Sequence, residues 1–441
     1  MSVLLPLCDT LLIGLAILLF TRRGLRLIHP ATVYFAYHFL TVTLRLWGLW
    51  AGSEYWFSLF YLPSQQEYFR AFLINEFGLM AVCCGFLLVP YEAQLHSPDR
   101  GTPLPGILVI SVAIVAIVAG LASAATYEDY QINQDTVKQV TMIDGKNIDV
   151  NGYATGASLW LAPSLILLIY RFGPRKLLLA AFGIALASRL YVSFNRFAFI
   201  LPTCIIFAVL LEGRGRKWPT FKQAFAVLFL FAVFSAGKGF VRSVVDVGWN
   251  EDTVPQALSN LEDNLSGKGE VSFFDQCVMV AAAVPERAGY LLGRYYYVPF
   301  VMWIPRQYWP DKPSFAQEYH QLTEDSGLPM EQLGMVMTMH GANYANFGYA
   351  GVVILGMAIG WLSMLGYRRA NSCAFGSAQK LMYIAFWGSL IQFYRDGLTD
   401  LPILLFNTGL PIYLACLLAM AHSRLKNWLG APRPRLSAAG L

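Results

Sequence analysis

An all-α polytopic membrane protein with about eleven transmembrane helices is the fold class this sequence predicts, and three observations predict it. Of 441 residues, 56% are hydrophobic and only 13% charged, with a mean hydropathy of +0.49; soluble domains carry about a quarter charged residues. Mostly apolar runs of roughly 20 residues, long enough to cross a hydrocarbon core, recur along the chain. The links between those runs differ in charge in a way that assigns them to two sides of a bilayer.

The runs fall at 3–21, 31–50, 71–89, 106–126, 153–170, 177–193, 197–211, 219–236, 347–366, 380–394 and 401–421. The first has no basic residue before it and ends at Arg22 and Arg23, so it reads as a span and not as a cleavable signal. Basic residues gather on one side, at Arg22/Arg23/Arg26, Arg171/Arg175/Lys176, Arg214/Arg216/Lys217, Arg368/Arg369 and the tail Arg424/Lys426/Arg433/Arg435. The other side receives 128–152, with five acidic residues against two lysines, and 238–335, with thirteen acidic against seven basic. Lys and Arg accumulate in cytoplasmic loops, which puts the N-terminus outside and the C-terminus inside; the link 90–105 runs against the pattern without reversing it.

Three regions follow: N-terminal helices over 1–237, a long outer loop over 238–346, and C-terminal helices with a basic tail over 347–441. Within the loop, Val278–Val284 and Tyr295–Ile304 are apolar and aromatic, which predicts short helices lying on or dipping into the membrane surface. The net charge of +5 is small and scattered, so nucleic acid is not a partner. The seven cysteines form no CxxC or Cys/His cluster and read as small buried hydrophobes.

The most informative stretch is Trp303-Ile-Pro-Arg-Gln-Tyr-Trp-Pro-Asp-Lys-Pro313. Pro305, Pro310 and Pro313 forbid a regular helix, because each lacks an N–H and restricts the residue before it. Arg306 and Lys312 are thereby placed as cations on a stiff, aromatic-rich ledge at the membrane surface. Further cations stand at the outer ends of spans: Arg196, the i,i+4 pair Lys238 and Arg242, and Arg395. One such residue often only snorkels to the headgroups, but cytoplasmic snorkelling does not explain a set on the outer face. Arginine's planar fork suits phosphate oxygens. No Walker loop is present, so a soluble nucleotide donor is not expected, and neither Asp-x-Asp pairs nor clustered histidines indicate a metal or other cofactor. The phosphate then belongs to a lipid carrier, a polyprenyl diphosphate. Asp9, His38, Arg45 and Glu76 fall inside spans, where Asp9, Arg45 and Glu76 are expected to pair with one another as structural contacts.

The same residues carry a resemblance. Gly293-Arg-Tyr-Tyr296 followed by Phe300-Val-Met-Trp-Ile-Pro-Arg-Gln-Tyr-Trp-Pro-Asp-Lys-Pro313 resembles the outer-loop signature of bacterial oligosaccharide repeat-unit polymerases, the Wzy-type group of O-antigen and enterobacterial common antigen polymerases. Asn343-Tyr-Ala-Asn-Phe-Gly-Tyr-Ala-Gly351 is similar to their Asn-Phe-Gly-x-x-Gly turn, Ser193-Phe-Asn-Arg196 to a short outer turn, and Arg395-Asp-Gly397 to an Arg-Glu/Asp-Gly turn before the last span. The likeness covers 177–421 by order of features, with its specific core at Pro-Arg-x-x-Trp-Pro-x-Lys-Pro. This chain has Ala342 where the family often has an acidic residue, so that carboxylate's role does not transfer.

The resemblance implies glycosyl transfer at the periplasmic face of the bacterial inner membrane, without a metal. Undecaprenyl-diphosphate-linked oligosaccharides would be both donor and acceptor, alongside membrane lipid and a chain-length-regulating co-polymerase. It assigns diphosphate binding to Arg196, Lys238, Arg242, Arg306, Lys312 and Arg395, and sugar stacking to Trp303, Tyr308 and Trp309. His340, placed as ligase-like relatives place a histidine, is a general-base candidate, with Asp275 and Asp396 as rivals. An O-antigen ligase-like transferase and a lipid-linked oligosaccharide flippase are the alternatives.

Overall fold

The fold was read from a computed structural model that describes residues 2–55, 58, 61–90, 101–125, 157–192, 197–226, 229, 255, 273–301, 304, 308–309, 312–313, 315–328, 337–399 and 405–430. The described elements are helices, and among the described residues no strand occurs beyond one isolated bridge between Pro103 and Ser377. Among the described residues four helices are long and apolar enough to cross a membrane: α1 (Leu4–Arg22), α4 (Gln65–Leu87), α5 (Gly106–Ala125) and α12 (Met339–Asn371). The chain divides into two compact units, one of 1–95, 189–368 and 386–405, the other of 96–188, 369–385 and 406–441.

In the first unit, α1 leaves Leu4, Leu11, Leu15 and Leu18 more than half exposed, an apolar surface consistent with lipid contact. α2 (Pro30–His38) starts where His29 Nδ1 accepts the Ala31 N–H at 3.1 Å and Pro30 occupies the first turn, where a missing N–H is harmless. A π-helical turn at Phe39–Thr43 links α2 to α3 (Leu44–Trp50). α4 opens with a capping box: Ser64 and Glu67 satisfy each other's backbone N–H. α8 (Phe197–Gly213) contributes to the same unit.

The remaining elements of this unit come from the segment expected as an outer loop. α9 (Phe273–Ala283), in the stretch expected to form short helices lying on or dipping into the membrane surface, is buried along its whole length and packs against α4. Apart from Asp275 and Gln276 its sequence Phe-Phe-Asp-Gln-Cys-Val-Met-Val-Ala-Ala-Ala is small and apolar, and a helix apolar on nearly every face goes to a core. The turn after it is tied to α4: Arg70 donates to Ala281 O at 2.9 Å and pairs with Glu286, while Arg287 lies over the Tyr61 ring at 5.0 Å and donates to its hydroxyl at 2.8 Å. Burial, then the hydrogen bond to Glu67, pushes the Tyr61 phenol up to about 12. α10 (Arg294–Val301) and α11 (Phe315–Ser326) follow and contact each other.

α12 carries a break at Phe347 and Gly348, where Gly348 adopts φ +62°, a conformation costly for any residue with a Cβ. The helix that carries the span expected at 347–366 thus begins about two turns earlier, in a short buried segment from Met339. Beyond the break, α12 lies directly on α4. A Cβ on Gly85 would fall 2.2 Å from Met357 O, and one on Gly360 2.3 Å from Val82 O. Gly356 and Gly360 form the small-x-x-x-small spacing that lets helix backbones touch inside membranes.

In the second unit, α5 packs on α6 (Leu161–Phe172), and α14 (Leu410–Gly430) packs on both. α7 (Lys176–Val192) precedes α8 in the chain and α13 (Ala378–Asp396) follows α12. Tyr170 fixes the start of α13 by donating to Ser377 O at 3.0 Å and accepting from Gly376 N at 2.8 Å. Thr102 and Gln379 exchange side-chain and backbone bonds at 2.9 and 3.0 Å. Half of the expected span at 219–236 falls outside the described residues.

Gly360→Ala or Gly85→Ala is expected to lower the thermal midpoint in detergent, overpacking costing about 1–3 kcal/mol. Gly14→Ala, where nothing lies within 4 Å of the added carbon, leaves the midpoint unchanged or raises it. Acid supplies a second test. His29, buried against Phe20, Phe86 and Tyr367, has its imidazole pushed by burial from 6.5 down to about 3. Between those values the unfolded chain binds the proton and the folded one does not. The contribution is therefore complete above about pH 6.5 and is lost as pH falls towards 3, by at most about 1.4 kcal/mol per pH unit. Thermal melts from pH 7 to 5 read this, and His29→Gln flattens the dependence.

Candidate functional site

Two buried charge clusters and one motif junction organise the first unit. In the first cluster Arg45, on α3, forks onto Asp275, on α9: Nε donates to Oδ1 at 3.0 Å and Nη2 to Oδ2 at 2.7 Å, with both side chains fully buried. Nη2 also donates to Glu54 O at 2.7 Å, and Tyr55 donates its hydroxyl to Asp275 O at 3.0 Å. Burial beside Asp275 raises the Tyr55 phenol far above its ordinary value, so it remains a donor. Arg45 thus pairs with Asp275 and not, as the sequence suggests, with Asp9 or Glu76. Both Asp275 oxygens are held by the guanidinium, which ties up one of the three base candidates.

The second cluster joins α1, α2 and α4. His38 Nε2 lies 2.7 Å from Asp9 Oδ1 and 3.9 Å from Glu76 Oε1. All three groups are buried, and their ligand atoms lie within 4.8 Å of one another, close enough to share a metal ion. One residue column along, Tyr34 shares a 2.7 Å hydrogen bond with His340 Nε2 and meets the Tyr394 ring edge-on at 4.9 Å. His340 is 3% exposed and lies on the bare face of Gly78, whose Cβ would fall 2.4 Å from the imidazole ring.

The third feature joins the segments that carry the resemblance. Leu291 and Leu292 donate N–H bonds to Ala345 O and Asn346 O at 2.9 and 3.1 Å. Gly293 N donates to Asn346 Oδ1 at 3.0 Å, and the Tyr296 hydroxyl donates to Asn343 Oδ1. The Tyr296 ring stacks on Phe347 at 6.2 Å and 17°, and burial keeps its phenol protonated. Helix α10 also contacts the 3-10 turn Gly397–Thr399 that follows Arg395 and Asp396. Arg395 lies 5.6 Å above the Phe273 ring and 3.4 Å from Asp396. Its side chain is 23% exposed and that of Asp396 6%, so the arginine stands at the accessible edge with the carboxyl behind it.

On the ledge, Lys312 donates to Ile304 O at 2.6 Å, closing the turn on itself, and Tyr308 is 81% exposed. Trp309 is half-buried. Arg196, Lys238, Arg242, Trp303 and Arg306 lie outside the described residues. Of the residues the sequence singled out, Arg395 and Asp396 immediately precede the turn Gly397–Thr399 that α10 contacts, His340 lies against Tyr34, and Asp275 forms the Arg45 pair. Tyr34, Phe273 and Tyr394 escaped the sequence reading. Tyr34 and His38 are four apart on one helical face, the spacing that would have exposed them. Compared with protein-family models, curated proteins and solved structures, the chain matches none.

Removing one partner of a buried ion pair strands the other charge. Asp275→Ala is expected to cost about 3–5 kcal/mol of stability, and Arg45→Met with Asp275→Leu together to recover most of it. If the recovered double variant also keeps full activity, Asp275 acts only as the arginine's partner; selective loss of activity in that folded variant would give it a chemical role.

Proposed function

We propose that this protein polymerises polyprenyl-diphosphate-linked oligosaccharide repeat units at the outer face of a bacterial inner membrane. The observation that carries the reading is the junction at which Gly293–Tyr296 bonds to Asn343–Phe347 while helix α10 contacts the turn Gly397–Thr399 that follows the part-exposed Arg395. In this reading the chain has eleven spans, an outer N-terminus, an inner C-terminus and an outer loop over 238–346. The buried α9 then docks that loop into the membrane-spanning body.

The reaction transfers a growing glycan from its lipid diphosphate to a hydroxyl of the next lipid-linked unit. The bond from the anomeric carbon to the diphosphate oxygen breaks, a new glycosidic bond forms, and the acceptor proton passes to a base or to the departing diphosphate. Charge develops on the leaving oxygen, where fixed cations lower the barrier most. Arg395, with Arg196, Lys238, Arg242, Arg306 and Lys312, is assigned to that task. Asp396 is the preferred base, because it adjoins the part-exposed Arg395 at 3.4 Å; His340 Nε2 is engaged by Tyr34, and both carboxylate oxygens of Asp275 accept from Arg45. Tyr308, Trp309 and Trp303 are assigned to sugar faces, and a chain-length regulator is the expected protein partner.

A lipid-linked glycan flippase is the second reading, favoured by the ionisable groups Asp9, His38 and Glu76 deep among helices, since such groups often mark ion or proton pathways. A strain lacking this protein, complemented with wild type or Arg395→Ala, separates the readings by its surface glycan. Polymerase predicts a ladder collapsed to single repeats on core lipid, restored by wild type and reduced at least about 100-fold in long chains with Arg395→Ala, as for loss of one charge-stabilising group. Lipid-linked polymer accumulating off the core would indicate a ligase, and lipid-linked repeats trapped on the inner face a flippase.

A further inference from the structure

The cluster on α1, α2 and α4 has chemistry the glycan reading does not use. Asp9, His38 and Glu76 come from helices distant in sequence, yet their ligand atoms converge within 4.8 Å. Glu76 is 4% exposed and neither carboxylate oxygen has a hydrogen-bond partner; Asp9 Oδ2 has none either. Thr43, in the π-helical turn after His38, is 1% exposed and its hydroxyl borders Asp9. Two buried carboxyl groups therefore converge on one imidazole nitrogen, at 2.7 Å from Asp9 and 3.9 Å from Glu76.

Unpaired carboxylate oxygens in an apolar core are among the costliest arrangements a protein can keep. Two carboxylates and a neutral imidazole sum to two negative charges, which one divalent cation cancels. Zinc takes imidazole nitrogen and carboxylate oxygen at about 2.0–2.2 Å, so ligand atoms in a tetrahedral site stand about 3.4 Å apart. The distances from His38 Nε2, 2.7 Å to Asp9 and 3.9 Å to Glu76, bracket that value. The donor set of one nitrogen and several oxygens suits zinc or manganese; magnesium prefers all-oxygen octahedra that keep several waters.

We propose that Asp9, His38 and Glu76 bind one divalent transition-metal ion, with the Thr43 hydroxyl beside it, clipping α1 to α2 and α4. The ion replaces the direct His38–Asp9 hydrogen bond and gives the orphaned oxygens a partner. The site is distinct from Arg395 and Asp396, and the proposal stands or falls independently of the glycan reaction.

Full-length protein purified in detergent, stripped with chelator and dialysed against zinc, manganese or magnesium chloride, is the test. Elemental analysis is expected to find one zinc or manganese per chain and no magnesium, with a raised melting temperature. Glu76→Gln and His38→Gln each weaken binding by more than about 100-fold, beyond the effect of outer-shell changes; His422→Ala, on an exposed residue, leaves it unchanged. Cobalt titration of wild type adds a readout that needs no variant to fold: d–d absorption bands of a nitrogen–oxygen site appear and zinc bleaches them. Wild-type protein that binds none of these ions in stoichiometric amount overturns the proposal, and so does binding that persists in both variants. In that case a proton held between the two carboxyls neutralises the cluster.

Discussion

Charge taken out of water must bring its own partner, and the Arg45–Asp275 fork is where this protein meets that demand most fully. A lone guanidinium or carboxylate in an apolar helical body would cost several kcal/mol. The forked pair, together with Glu54 O, engages Nε and Nη2 of the guanidinium and both carboxylate oxygens of Asp275. It also fixes architecture. Asp275 sits in the first turn of α9, so holding it against Arg45 draws that helix into the core beside α4, and the following turn is stapled by Arg70 and Arg287. The segments bearing Gly293, Tyr296 and the Pro-rich ledge start from that fixed point.

Close helix approach is the second constraint. Gly85 and Gly360 let α4 and α12 touch through their backbones, and Gly78 leaves room for the His340 ring. These contacts set the depth of the short buried segment Met339–Asn346, whose carbonyls and amides receive Leu291, Leu292 and Gly293. The break at Phe347 and Gly348 then redirects the chain. A bilayer tolerates irregular backbone only where protein satisfies its polar groups, and here the neighbouring loop supplies the partners.

The proposed chemistry uses the same division. Arg395 keeps its charge near the surface, where an anionic lipid head can reach it, while Phe273 and Asp396 hold it in place. His340 lies deeper, engaged by Tyr34. A residue can therefore be well chosen by type and still be badly placed for reaction, which distinguishes His340 and Asp275 from Asp396.

Composition and the recurrence of apolar runs were enough to give an all-helical protein with helices able to cross a membrane, because helix length and hydropathy are properties of contiguous residues. The segments Gly293–Tyr296, Asn343–Gly351 and Arg395–Gly397 were legible for the same reason: each is short and local. The Gly356–Gly360 spacing was equally open to reading. Pairing was not. That Arg45 meets Asp275 and not Glu76, that Asp9 finds His38, and that α9 is buried all depend on contacts between different helices, from 29 to 230 positions apart. Sequence spacing does not encode such contacts. They are settled by which helix faces fit together and which buried charges must be neutralised, and only the folded chain decides that.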